Sequence, residues 1–327
     1  MVINGTSNRD VLLGDDGSDE IHGFDGNDVL KGFGNGDYLF GENGADYIEG
    51  GTEGDSCVGS QGDDVIYGES GGDFLFGDTG NDYLYGGDGG DRMEGGEDMN
   101  HLYGGDGGDM MYGGSNIDWM EGGDGGDMLY GRADPDTLSG NGGYDYLIGE
   151  DGPDTLFGND GGDYLLGDAG EELVADADTD HLYGGNSGDM LYGGADDDQM
   201  YGQAGNDVLT GEGGRDFISG GEGNDTLYGG DGRDLFAYEV WEDIQGTDII
   251  VDFQAGPGGD WLRLSTVLGN LGYGGSDPVS AGYITWGQAG ADTWLMLDFN
   301  GGANSFQLLT ILQNVSASQL SLADNYS

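Results

Sequence analysis

Single aspartates recur at intervals of nine residues, at Asp10, Asp19, Asp28, Asp37, Asp46, Asp55, Asp64, Asp73, Asp82, Asp91, Asp109, Asp118, Asp127, Asp136, Asp145, Asp154 and Asp163, and again at Asp180, Asp189, Asp198, Asp207, Asp216, Asp225 and Asp234. Asn100 and Glu172 stand where the two remaining members would be. A short carboxylate repeated between glycine-rich loops is a hard oxygen donor, and the loop carbonyls add more oxygen. Ca²⁺ takes about six to eight oxygens in flexible geometry, so this pattern suits it better than Mg²⁺ or a thiophilic metal. These aspartates are the candidate metal ligands. Asn100 and Glu172 are expected weak points, because one lacks the charge and the other has a longer reach.

The elements that must position them are read from the rest of the repeat. From Gly5 to Ala237 the chain follows the pattern Gly-Gly-x-Gly-x-Asp-x-apolar-x in 26 copies, one of which (167–174) has lost a residue. Position one is Gly in 25 copies, position six is Asp in 24, and position eight is apolar in all. Glycine at positions one, four and often two permits positive φ and close backbone approach. Where position four is not Gly it is mostly Asn or Asp, which tolerate the left-handed region, with Glu53 and Ser187 as the exceptions. Positions seven to nine place one apolar side chain between two outward ones, the period of a short strand. Cys57 sits at position eight, so it reads as a small buried hydrophobe, and as the only cysteine it has no internal disulfide partner.

Composition narrows the function further. With 76 glycines and 65 acidic against seven basic residues, a net charge of -58, the chain repels nucleic-acid phosphates and anionic lipid headgroups alike. At 35% apolar residues it can hardly offset its own ordering entropy and self-repulsion. Multivalent cations are the natural partners. No apolar run approaches the roughly 20 residues of a membrane helix, and Met1 to Asn4 leave no room for a cleavable signal before the first repeat.

Copies such as 104–112 (GGDGGDMMY), 122–130 (GGDGGDMLY) and 220–228 (GGEGNDTLY) resemble the calcium-binding nonapeptide of the RTX, or hemolysin-type, family. The resemblance implies an all-β parallel β-roll, with successive units on two parallel sheets, eighteen residues per turn and ions in both rows of loops. It also implies many bound Ca²⁺ ions, an extracellular or cell-surface location and export by type I secretion machinery. The expected organisation is a lead-in (1–4), the β-roll (5–237) and a C-terminal β-rich capping or secretion module (238–327). The segment 247–265 (TDIIVDFQAGPGGDWLRLS) is similar to the region that follows the array in type I secreted members, although 322–327 is less apolar than such a signal. Strands are expected at 248–253, 283–286, 294–299 and 306–312.

Other features read as ordinary structure. Gly68-Glu69-Ser70-Gly71-Gly72 fits GxSxG, but Ser70 lies in a repeat loop and not at a strand-to-helix turn. The run 176–180 imitates an EF-hand start, yet His181 and Ser187 replace its essential Gly and Glu. His22, His101 and His181 fall at outward strand positions. An outward row of Phe74, Phe76, Met110, Tyr112, Met128, Tyr130, Tyr146, Ile148, Tyr164, Leu166, Tyr183 and Tyr201, interrupted by Arg92 and Glu94, reads as cross-strand packing or as a lateral protein or glycan contact. With no candidate active site, the sequence points to a calcium-folded structural or secretion module. The alternatives are the calcium-dependent tail of a secreted enzyme, such as a protease, lipase or alginate epimerase, and a surface-layer or adhesive protein.

Overall fold

The computed structural model describes residues 1–161, 163–167, 179–195, 197–238, 246–271, 273, 278–298 and 306–320. The fold is an all-β parallel β-roll, and it forms two compact units, Met1–Tyr164 and Leu165–Ser327. In the first unit consecutive strands alternate between two sheets. Val2–Asn4, Glu20–Asp25, Tyr38–Asn43, Ser56–Gln61 and Phe74–Thr79 run side by side in one, while Val11–Leu13, Val29–Gly34, Tyr47–Thr52, Val65–Ser70 and Tyr83–Asp88 run in the other. Every pairing is parallel and joins residues eighteen apart, as in Ile21 with Leu39 and Leu84 with Leu102. One repeat therefore makes half a turn.

The strand is short because only one residue in nine is buried and apolar. Position eight supplies it: Ile21, Leu30, Leu39, Ile48, Cys57, Ile66, Leu75 and Leu84 are all fully buried. The core is a double file of single side chains between two sheets. Cys57 takes its place there as a free thiol, and burial pushes its pKa well above the ordinary value.

Positive φ falls at positions two and four and not at position one. Position two turns left-handed even where the residue is large, as at Phe24 (73°), Phe33 (83°), Glu69 (75°) and Arg132 (85°). Each such residue costs about 1–2 kcal/mol relative to the right-handed region. Position four behaves as expected at Asn35, Asp98, Asn116 and Asp134, and Glu53 and Ser187 adopt the same left-handed geometry despite their types. The sharp double turn is thus imposed by the sheets on either side, with or without glycine.

On the outer faces the side chains at positions seven and nine stack along the ladder. Tyr67, Tyr85 and Tyr103 form one continuous pile, with ring centroids 4.6 and 4.9 Å apart, and Tyr112 and Tyr130 lie 4.9 Å apart in the opposite sheet. Arg92 and Glu94 do not break the row they interrupt. Arg92 and Arg132 lie over the Tyr112 ring at 5.6 and 4.7 Å, and Arg132 Nη1 donates to Glu94 Oε1 at 3.0 Å. Cross-strand stacking thus engages part of the outer faces, while Phe74, Tyr38 and Trp119 stay exposed. His22 stacks on Phe40 and bridges Glu20 and Glu42, and His101 stacks on Tyr83, so both behave as strand residues.

In the second unit His181–Asn186, Gln199–Ala204, Phe217–Glu222, Leu235–Ala237 and Trp261–Arg263 form one parallel ladder, in which Tyr183 and Tyr201 stack at 5.0 Å. Met190–Gly194, Val208–Gly214, Thr226–Tyr228 and Asp248–Ile250 form the other. The period changes beyond Ala237, but the ladders go on: Trp261–Arg263 pairs with Leu235–Ala237, and Asp248–Ile250 with Thr226–Tyr228. Phe306–Leu312 then adds in parallel to Asp248–Ile250 and begins an antiparallel meander through Asp292–Asp298 to Ile284–Ala289. A one-and-a-half-turn helix, Ser265–Asn270, buries Val267 and Leu268 and had no counterpart among the sequence expectations. The meander in turn buries Leu295, Leu297, Leu309 and Leu312. Glu172, Ala175 and 176–178 of the EF-hand-like run lie outside the described residues, as do Trp241 and 322–327.

Two outcomes follow from the single-file core. Leu84→Ala lowers the stability of the folded protein by about 2–5 kcal/mol, measured by chemical denaturation, since a fully buried leucine has little freedom to be replaced by collapse. The Cys57 thiol is inert to an aromatic disulfide reagent while the protein is folded and titrates stoichiometrically once it is unfolded.

Candidate metal centre

The position-six aspartates are nearly all buried, and a second ladder fixes them in register. In the first unit Oδ1 of each accepts the backbone N–H of the aspartate one turn earlier: Asp10 N donates to Asp28 Oδ1 at 2.7 Å, Asp28 N to Asp46, Asp46 N to Asp64 and Asp64 N to Asp82. The parallel row runs from Asp19 through Asp37, Asp55, Asp73, Asp91, Asp109, Asp127 and Asp145 to Asp163. Asn100 keeps its place in the ladder, accepting from Asp82 N and donating its own N–H to Asp118 Oδ1, and the row continues to Asp136 and Asp154. In the second unit the rows run Asp180, Asp198, Asp216, Asp234 and Asp189, Asp207, Asp225. The structure thus gathers the candidate ligands into files of carboxylates.

With Oδ1 committed, Oδ2 decides the chemistry. In Asp28, Asp37, Asp46, Asp55, Asp64, Asp73, Asp82, Asp91, Asp109, Asp118, Asp127, Asp136, Asp145, Asp207, Asp216 and Asp234 this oxygen is buried and accepts no hydrogen bond. In several repeats it borders a space at the position-one glycine that a carbonyl of the next turn also borders. A β-carbon placed on Gly23 would lie 2.7 Å from Asp28 Oδ2 and 2.7 Å from the Gly41 carbonyl oxygen, and one on Gly113 would lie 2.6 Å from Asp118 Oδ2 and 2.9 Å from the Gly131 carbonyl. Position-one glycine is therefore required for space and not for φ: any larger residue would fill the cradle shared by the carboxylate and the next turn's carbonyl.

A buried acceptor among acceptors is costly unless a cation joins them. The donor set is one carboxylate oxygen plus backbone carbonyls, all hard ligands, which fits Ca²⁺. Among the described residues no three side chains of His, Cys, Asp or Glu converge into a cluster. The backbone must therefore provide most of any coordination shell.

The ends of the rows differ. Asp10 Oδ2 accepts from Thr6 N and Oγ1 at 2.7 and 2.8 Å, and Asp19 Oδ2 accepts from Asp15 N, while the Met1 amino group bonds its Oδ1. At the other end Asp225 N donates to Asp248 Oδ1 and Asp234 N to Asp260 Oδ1, both at 3.1 Å. Asp248 and Asp260 are buried members of the rows that the nine-residue period missed. Their signal is present in Gly246-Thr247-Asp248-Ile249-Ile250-Val251 and Gly259-Asp260-Trp261-Leu262-Arg263, which match the second half of the repeat, but they follow their partners by 23 and 26 residues in place of eighteen. Asp260 Oδ2 accepts Gln254 N at 2.6 Å. Asp298 ends a strand and is buried, whereas 299–305 lies outside the described residues.

The model of the RTX calcium-binding nonapeptide repeat matches residues 4–32, 34–57, 49–84, 85–120, 112–147, 121–156, 139–171, 174–209 and 201–236, well over half of the chain. The chain belongs to the RTX calcium-binding nonapeptide repeat family. No curated protein sequence is significantly similar to it. Among solved structures this RTX chain is similar to the AlgE6R3 subunit of the Azotobacter vinelandii mannuronan C5-epimerase, with 31% identity, a TM-score of 0.33, and coverage of 43% of this chain and 78% of that one. The AlgE6R2 subunit of the same enzyme gives 31% identity, a TM-score of 0.30, and coverage of 42% and 90%. The extracellular lipase LipA from Serratia marcescens gives 19% identity and a TM-score of 0.31 over 70% of this chain, which spans 40% of the lipase.

Burial without a compensating cation raises the carboxyl pKa values, and the backbone N–H bond to Oδ1 only partly offsets it. Asp46 and Asp73 are pushed up to about 6, Asp55, Asp82, Asp109 and Asp118 to about 7, and Asp64, Asp136 and Asp207 to about 8, from an ordinary value of 3.8. An acid whose folded value lies above its unfolded value favours folding fully below 3.8 and loses that contribution as the pH rises through the folded value. Without divalent cations, β-structure measured by circular dichroism is therefore greater at about pH 5 than at about pH 8. Equal spectra at the two pH values would contradict this assignment of the buried oxygens.

Proposed function

We propose that this chain is a calcium-folded structural module that works outside the cell. The observation that carries the reading is the file of buried Oδ2 atoms that accept no hydrogen bond, as in Asp28, Asp46, Asp82 and Asp118, several of them bordering a space at the position-one glycine that a next-turn carbonyl also borders. The proposed ligands are the position-six aspartates, with the unsatisfied oxygens concentrated between Asp28 and Asp234. Calcium, when bound, supplies positive charge to oxygens that otherwise repel one another. Everything else is done by the chain. Oδ1 is held by the amide of the preceding turn, so each side chain has one orientation, the double left-handed turn aims the carbonyls, and position-one glycine keeps the cradle open.

Binding and folding are then one event. At a charge of -58 the open chain is extended by self-repulsion, and its sites exist only when turns stack. Extracellular calcium modules bind at roughly 10⁻⁴ to 10⁻³ M, so the chain stays open at cytosolic calcium and closes outside. This suits passage through type I secretion machinery as an unfolded chain. The module acts by folding and presenting its surfaces, and not by catalysis.

Circular dichroism in chelator and in calcium of about 10⁻³ M tests the reading. The expected result is a disordered spectrum that converts cooperatively to β-structure. A fully folded protein in chelator at neutral pH would sink it. Asp64→Ala raises the calcium midpoint by roughly tenfold, the equivalent of about 1.4 kcal/mol, and lowers the number of ions bound.

A further inference from the structure

Asn100 occupies the aspartate position in the middle of the first unit's row and is fully buried. Its Oδ1 accepts Asp82 N at 3.0 Å, as an aspartate would. This bond fixes the amide orientation, because the reverse arrangement would point two N–H donors at each other. Nδ2 therefore sits where every neighbouring rung has Oδ2. A β-carbon on Gly95 would lie 2.8 Å from Asn100 Nδ2 and 2.7 Å from the Gly113 carbonyl, matching the cradle at Gly113 with its Asp118 Oδ2 and Gly131 carbonyl.

In that place Nδ2 donates to the carbonyls of Asp98 at 3.2 Å and Glu97 at 3.5 Å. These are positions three and four of its own loop. Asp82 and Asp118, one turn to either side, each keep a buried Oδ2 that accepts no hydrogen bond, and the Asn100 side-chain amide lies close enough to Asp118 to favour its charged form. The same cradle thus holds an amide donor at one rung and a carboxylate oxygen at its neighbours.

We propose that the Asn100 rung takes no cation: its side-chain amide does the work that calcium does in the adjoining rungs, so the file of ions in this row is interrupted there. An amide N–H and a cation both satisfy inward carbonyl oxygens, but the amide also removes the carboxylate charge that would attract an ion. The rung is a neutral splint that holds loop 95–99 at any calcium concentration at which its neighbours are stacked. The inference rests on the reading that the aspartate rungs take calcium.

The test counts bound calcium per folded chain at saturation, by equilibrium dialysis with elemental analysis, for the wild-type chain and three variants. Asn100→Asp is expected to bind at least one ion more than wild type. Asn100→Leu, which keeps the bulk and loses the donors, is expected to bind the wild-type number with a lower melting temperature in calcium. Asp118→Asn is expected to bind at least one ion fewer and to melt higher than Asp118→Ala, because the transplanted amide closes its own cradle. An unchanged count in Asn100→Asp, or a lost ion in Asn100→Leu, overturns the proposal. A wild-type chain that binds no calcium at all overturns the reading of the aspartate rungs instead.

Discussion

A carboxylate oxygen buried among carbonyl oxygens is the interaction on which this architecture depends. Oδ1 of each position-six aspartate is satisfied by the amide of the turn before, which ties consecutive turns together and fixes the side chain. The same bond pins Oδ2 inside the loop, where Gly41 O faces Asp28 and Gly131 O faces Asp118. The fold therefore builds its own electrostatic problem at every half turn. In a chain with one buried apolar residue per repeat, nothing in the core is large enough to override it, and the stability of the roll follows the state of those oxygens.

The molecule answers the problem in two ways. Along much of the described rows Oδ2 is buried and accepts no hydrogen bond, which in the proposed reading is where calcium adds its charge. At the margins the chain supplies donors itself: Thr6 and the Asp15 amide at the start, Gln254 at the end, and the Asn100 amide in between. The left-handed residues at position two belong to the same economy of shape. Phe24, Phe33 and Arg132 accept unfavourable φ at the position where Gly51, Gly87 and Gly105 turn the same way without strain.

Much of this was legible in the residues. A strict nine-residue period with an apolar eighth position put a short strand with one inward residue in every repeat and placed Cys57 in the core, while parallel strands on two sheets came from the resemblance to the RTX family and not from the period. The fixed aspartate named the row. Less legible was the reason for each glycine. Position one reads like a φ requirement but is a matter of space, and position two, where non-glycine residues are frequent, carries the left-handed turn. The continuation through Asp248 and Asp260 was hidden by longer connections, although their half-repeats are plain in the sequence.

By itself, then, the sequence determined the periodic facts: which residues face inward and which carry charge. Such facts depend only on residue type and spacing along the chain. The tertiary structure alone decided the use of each aspartate oxygen, since Oδ1 and Oδ2 differ only through contacts with residues eighteen positions away. It also decided that Asn100 preserves the ladder while closing its own loop, and that two aspartates beyond the array belong to the rows. Those outcomes depend on the stacking of one turn on the next, which no local pattern encodes.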